Sequence, residues 1–114
     1  NTCGKEMSLS VSYFTFSPVH KDGEATIGGI LTVTYSNIAA GGDSLDIIEK
    51  NFEGGTIHDI LFEPCSVAGD GMCQPYFNRT SKDLEVYKLS DGTEATNGKS
   101  MTIYFRARGA GRLK

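Results

Sequence analysis

Apolar and polar residues alternate along most of this chain with a period of two. From Met7 to Tyr13, three serines occupy one face and four apolar residues the other, the pattern of a half-buried strand. The run continues through Phe14-Thr15-Phe16 and stops at Ser17-Pro18, where proline removes a ladder donor. Thr26 to Ser36 predicts a second strand, with Ile27, Leu31, Val33 and Tyr35 on one side and Thr32 and Thr34 on the other. Gly28-Gly29 within it predicts a bulge or a close backbone approach.

Ser44 to Glu49 reads as a short strand in preference to a helical turn capped by Asp43 or Ser44, because glycine pairs at 41–42 and 54–55 leave little room between breakers. Thr56 to Phe62 predicts another strand, placing Ile57, Asp59 and Leu61 opposite His58, Ile60 and Phe62. A Gly-rich turn at Ala68-Gly69-Asp70-Gly71 separates Cys65 from Cys73. Leu84–Leu89 and Met101–Ala107 complete six or seven strands, the last with Met101, Ile103, Phe105 and Ala107 on one face. Gly109-Ala110-Gly111 reads as a turn. No ten-residue segment carries helical periodicity, so the expected fold is all-β, a two-sheet antiparallel sandwich of immunoglobulin-like type.

Length agrees, since 114 residues make one domain, 1–114. With 39% hydrophobic and 22% charged residues, disorder is disfavoured. No apolar run approaches the ~20 residues of a membrane-spanning helix. Charge is uneven: through Glu94 the chain carries six basic and fourteen acidic residues, whereas Lys99, Arg106, Arg108, Arg112 and Lys114 follow without an acid. Such an end suits an anionic head group, or it lies beside acidic loops of the same domain. The chain begins Asn1-Thr2-Cys3, as a processed mature form does. The sequon Asn78-Arg79-Thr80 marks Asn78 as a glycosylation candidate. With Cys65 and Cys73 spaced for a local disulfide, it points to a secreted or lumenal setting, extracellular, lysosomal or vacuolar. Three cysteines leave one over.

Candidate chemistry is sparse. His20 and His58 are the histidine bases. His20 sits in a polar turn, and His58 and Asp59, adjacent in a strand, should face opposite ways. No Gly-x-Ser-x-Gly elbow is present, so an enzyme is not expected. Cys65-x7-Cys73 lacks zinc spacing, and Asp43, Asp46 and Glu49 lack the calcium-loop pattern. No metal, no cofactor and no nucleic-acid partner is expected. The cysteine segment reads as a staple, whose disulfide would contribute about 2–3 kcal/mol.

The order of motifs resembles the ML lipid-recognition domains, a family that includes the Niemann-Pick type C sterol carrier, fungal phosphatidylglycerol/phosphatidylinositol transfer proteins and mite allergens. The motifs are Cys3-Gly4, a strand ending at Ser17-Pro18, Gly28-Gly29-Ile30-Leu31-Thr32-Val33, then Cys65, Cys73 and Pro75, and they span nearly the whole chain. Gln74 departs from the family pattern, in which proline follows the second cysteine directly. The resemblance implies a sandwich whose sheets splay to hold a sterol, phospholipid or fatty acid, for transfer or recognition. Wall candidates are Leu31, Val33, Tyr35, Ile57, Leu61, Leu84, Val86, Ile103 and Phe105, which would equally form the packed core of any sandwich. It also implies that Cys3 pairs with a cysteine of a final strand, so the expectation is a last strand beyond Lys114 or a Cys3 bonded elsewhere. Partners would be a lipid ligand and a membrane surface or protein. The rival is an extracellular interaction module with a filled core, acting through its surface or in an assembly.

Overall fold

Strand periodicity over most of the chain leaves two amphipathic sheets with apolar faces to bury, and they bury them against each other. The structure, a computed structural model, describes residues 8–13, 20–21, 23–36 and 42–112, the first two segments by backbone alone. Cys3, Phe14 to Pro18 and Lys114 lie outside the described residues. The strands are β1 (Ser8–Tyr13), β2 (His20–Lys21), β3 (Glu24–Tyr35), β4 (Asp43–Ser44), β5 (Ile57–Phe62), β6 (Cys65–Val67), β7 (Gly71–Asn78), β8 (Asp83–Lys88) and β9 (Lys99–Ala110), with one helical turn, α1 (Asp46–Glu49). One sheet runs β1-β3-β9-β5 with β2 also on β3, and the other runs β4-β8-β7-β6; every pairing is antiparallel. The protein is an all-β sandwich.

The long ladder between β3 and β9 sets the layering. It runs without interruption from Glu24↔Ala110 to Tyr35↔Lys99, so Leu31 faces inward beside Ile103, and Val33 beside Met101. Of the bulge or close backbone approach expected at Gly28-Gly29, the bulge is absent, because both glycines keep register with Arg106 and Phe105. The expected turn at Gly109 is also replaced: Gly109 and Ala110 belong to β9. A Cβ at Gly109 would lie 2.4 Å from Cγ of the buried Phe52, so this position accepts only glycine.

A bulge does occur in β5. Register passes from Ile57↔Gly109 to Asp59↔Arg108, leaving His58 without a partner. One extra residue reverses the facing of everything after it. Ile57 and Ile60 therefore point inward, while Leu61, a predicted wall residue, is 66% exposed on the outer face. His58 and Asp59, expected on opposite faces, both reach outer-face partners.

Two other readings change. Ser44 to Glu49 forms a bridge and a helical turn instead of a strand; Ser44 Oγ accepts the Asp46 N–H at 3.3 Å, and Ile48 and Phe52, four apart, are both fully buried. The cysteine segment is a hairpin of β6 and β7 around the 68–70 turn. Pro75 is tolerated within β7 because its register partner Val86 directs both main-chain groups away from it: Val86 N–H donates to Tyr35 Oη at 3.4 Å, and its carbonyl accepts the Ala95 N–H at 2.8 Å.

Ile103→Ala should lower unfolding free energy by about 2–5 kcal/mol through lost burial and a cavity. Leu61→Ala should stay within about 0.5 kcal/mol. Urea titration of both variants checks the bulge directly, since an in-register β5 would make them comparable.

Candidate functional site

Eight of the nine wall candidates converge between the sheets. Leu31, Val33 and Tyr35 come from β3, Ile103 and Phe105 from β9, Ile57 from β5, and Leu84 and Val86 from β8 of the opposite sheet. All belong to one contiguous apolar cluster and are at most 4% exposed. The layer also includes Phe52, Ile48, Leu45 and Phe77, which the strand reading did not single out. The four-residue spacing of Ile48 and Phe52 was the available signal.

Polar groups of the interior gather at the Tyr35 end. The Tyr35 hydroxyl donates to the Glu94 carboxylate. Burial first, and that bond second, raise its pKa well above the ordinary phenol value, so the hydroxyl stays protonated. Fully buried Asp43 accepts the Ser36 N–H at 3.0 Å and the Ser36 hydroxyl at 2.5 Å. Among the described residues the rest of the layer is aliphatic, aromatic or thiol.

Two grooves mark the surface. One, of about 420 Å³, lies on the outer face of the β1-β3-β9-β5 sheet and is lined by Gly28, Leu61, Tyr104 and Arg106 among others. The second, of about 330 Å³, lies between β5 and β7, where the two sheets meet edge to edge; Ile60, Phe62, Gln74, Pro75 and Phe77 line it.

Cys65 and Cys73 are direct cross-strand partners on β6 and β7. Both are buried thiols in this structure, with Cys73 Sγ–H donating to the Gly71 carbonyl at 3.6 Å. Opposed antiparallel residues sit about 4.5–5.5 Å apart at Cα, inside the range a disulfide spans. Burial pushes the Cys65 thiol up to about 11, and it also raises Cys73, with Asp70 adding to the effect. Both are therefore poor nucleophiles at neutral pH.

Asn78 uses its whole side chain. Its Nδ2 donates to Glu85 Oε2 at 3.0 Å, and its Oδ1 accepts the N–H groups of Thr80 at 2.9 Å and Ser81 at 3.1 Å. This caps the turn into β8, in which Lys82 takes a left-handed φ of 66°.

The basic end is partly neutralised by its neighbours. On the outer face Arg108 lies 3.4 Å from Glu24 and 3.7 Å from Asp59, Arg79 lies 2.9 Å from Asp59, and His58 Nδ1 lies 2.6 Å from Glu24. The His58 hydrogen bond, with Arg108 assisting, lowers the Glu24 pKa. Among the described residues no three His, Cys, Asp or Glu side chains converge to hold a metal ion, and no helix is long and apolar enough to cross a membrane. No family model, curated protein or solved structure matches the chain.

A lowered carboxylate pKa stabilises the fold above the ordinary carboxylate range, and that contribution is lost as pH falls through the folded-state value. Glu24→Gln should therefore be less stable than the parent at pH 6 and nearly equal to it at pH 2. Urea unfolding at both values tests this; an equal gap at each pH contradicts it.

Proposed function

We propose that this domain is a lipid-binding β-sandwich of the ML type, taking a sterol, phospholipid or fatty acid between its sheets in a secreted or lumenal compartment. The observation that carries the reading is the apolar layer itself. Among the described residues, wall residues from both sheets belong to one continuous apolar cluster, and the buried hydroxyl and carboxylate groups of Tyr35 and Asp43 lie at one end of it. The motif order from Cys3-Gly4 to Pro75 supports the same reading. Binding is driven by burial of apolar area, at roughly 25 cal/mol per Å², and proceeds without a catalytic step. The closed layer must part to admit a chain or ring system.

A second reading, a filled-core interaction module, draws on that closure. In this arrangement the wall residues fill the interior themselves, and Met72, Tyr76 and Leu89 present apolar surface on the outside of β7 and β8. Organic extraction of the protein purified from a eukaryotic secretory host, followed by mass spectrometry, separates the two. The lipid reading expects stoichiometric lipid, whereas clean protein that also fails to take up an added fatty acid supports the module.

In an oxidising compartment Cys65 and Cys73 join, stapling the β6–β7 hairpin. We expect non-reducing peptide mapping of the secreted protein to recover that link. Its removal by Cys65→Ser with Cys73→Ser should cost about 2–3 kcal/mol.

A further inference from the structure

The two sheets meet along β5 and β7 without a shared ladder. Among the described residues no backbone pairing joins these strands. Glu63 N–H donates to the Tyr104 carbonyl at 3.1 Å, so alternation turns the main-chain groups of Ile60 and Phe62 away from β9, toward the groove. On β7 the Leu89 N–H donates to the Met72 carbonyl at 3.0 Å, which by the same alternation turns Pro75 and Phe77 toward the groove. Pro75 has no N–H to offer there. A main-chain ladder across this line is thereby obstructed.

Side chains bridge it instead, at three points. Gln74 Nε2 donates to the Phe62 carbonyl at 3.2 Å while holding its own strand's Pro75 carbonyl at 2.8 Å. Arg79 pairs with Asp59 at 2.9 Å. Lys82 Nζ donates to the Ile57 carbonyl at 3.2 Å. The three contacts follow β5 from end to end, and behind them lie Ile60 and Phe77, both part of the apolar layer.

We propose that the β5–β7 line is the door of the sandwich, a seam latched by Gln74, Arg79 and Lys82 whose release lets a lipid pass into the interior while the β3–β9 ladder stays intact. This rests on the lipid-binding reading for its purpose, but not for its geometry. Side-chain bonds at a solvated edge open more readily than a continuous ladder. The latch also bars collapse of the groove onto a main-chain pairing that would close it permanently.

The test uses the full chain under reducing conditions, with a variant carrying Gln74→Ala, Arg79→Ala and Lys82→Met, and with Asp91→Ala as a control that removes the exposed hydrogen bonds from Asp91 to Thr93, away from the latch. N-ethylmaleimide labelling of the buried Cys73, located by peptide mapping, reads opening without any lipid. Uptake of the uncharged probe Nile red reads admission to the interior. The latch predicts that Cys73 labelling rises about tenfold or more in the triple variant, beyond what its loss of global stability in urea produces. Asp91→Ala should label only as fast as its own stability dictates. Unchanged labelling, or a rise fully accounted for by global unfolding, overturns the door. Faster labelling with no probe uptake leaves the door standing and removes the lipid from it.

Discussion

The antiparallel ladder between β3 and β9 is the constraint on which the remainder of the molecule rests. Twelve-residue strands meeting in unbroken register fix which side chains face inward along the full length of one sheet. Because strand side chains alternate, a slip of one residue would set Leu31 and Val33 on the face opposite Ile103, exposing one set or the other. The ladder also positions what it does not touch. Its β9 edge carries β5, its β3 edge carries β1 and β2, and Gly109 within it makes the flat seat on which Phe52 rests.

From that plane the second sheet is placed by burial. Leu84 and Val86 on β8 meet the β3–β9 face, while Tyr35 crosses the layer to bond the Val86 amide and Glu94. The tyrosine thus ties the sheets at one end with a satisfied polar contact, where an unsatisfied one would cost about 1–3 kcal/mol. The opposite arrangement holds along β5 and β7, where the sheets approach through side chains and a groove remains. A sandwich fastened at one end and latched along one side has a built-in direction of opening.

Much of this was legible in the residues. Alternation from Met101 to Ala107 and from Ile30 to Ser36 carries the two central strands and five of the nine wall positions, because half-buried strands write their facing into every second residue. The β6–β7 hairpin was legible only as a cysteine-bounded turn: Gly71, Pro75 and Asn78 are poor strand residues by propensity, and register with β8 overrides them. The bulge at His58 left no local mark. It is decided by how β5 must meet β9, a long-range term absent from any window of sequence, and it moves Leu61 out of the site. The helical turn at Asp46–Glu49 was visible in the Ile48 and Phe52 spacing, but the flanking glycines favoured a strand.

The layer between the sheets is the proposed ligand site. Nuclear Overhauser contacts between an unlabelled fatty acid and methyl-labelled protein test it most directly. A ligand seated in the layer gives contacts from its chain to the methyl groups of Leu84, Val86 and Ile103. Contacts confined to Leu61 on the outer face, or none at saturating fatty acid, would contradict it.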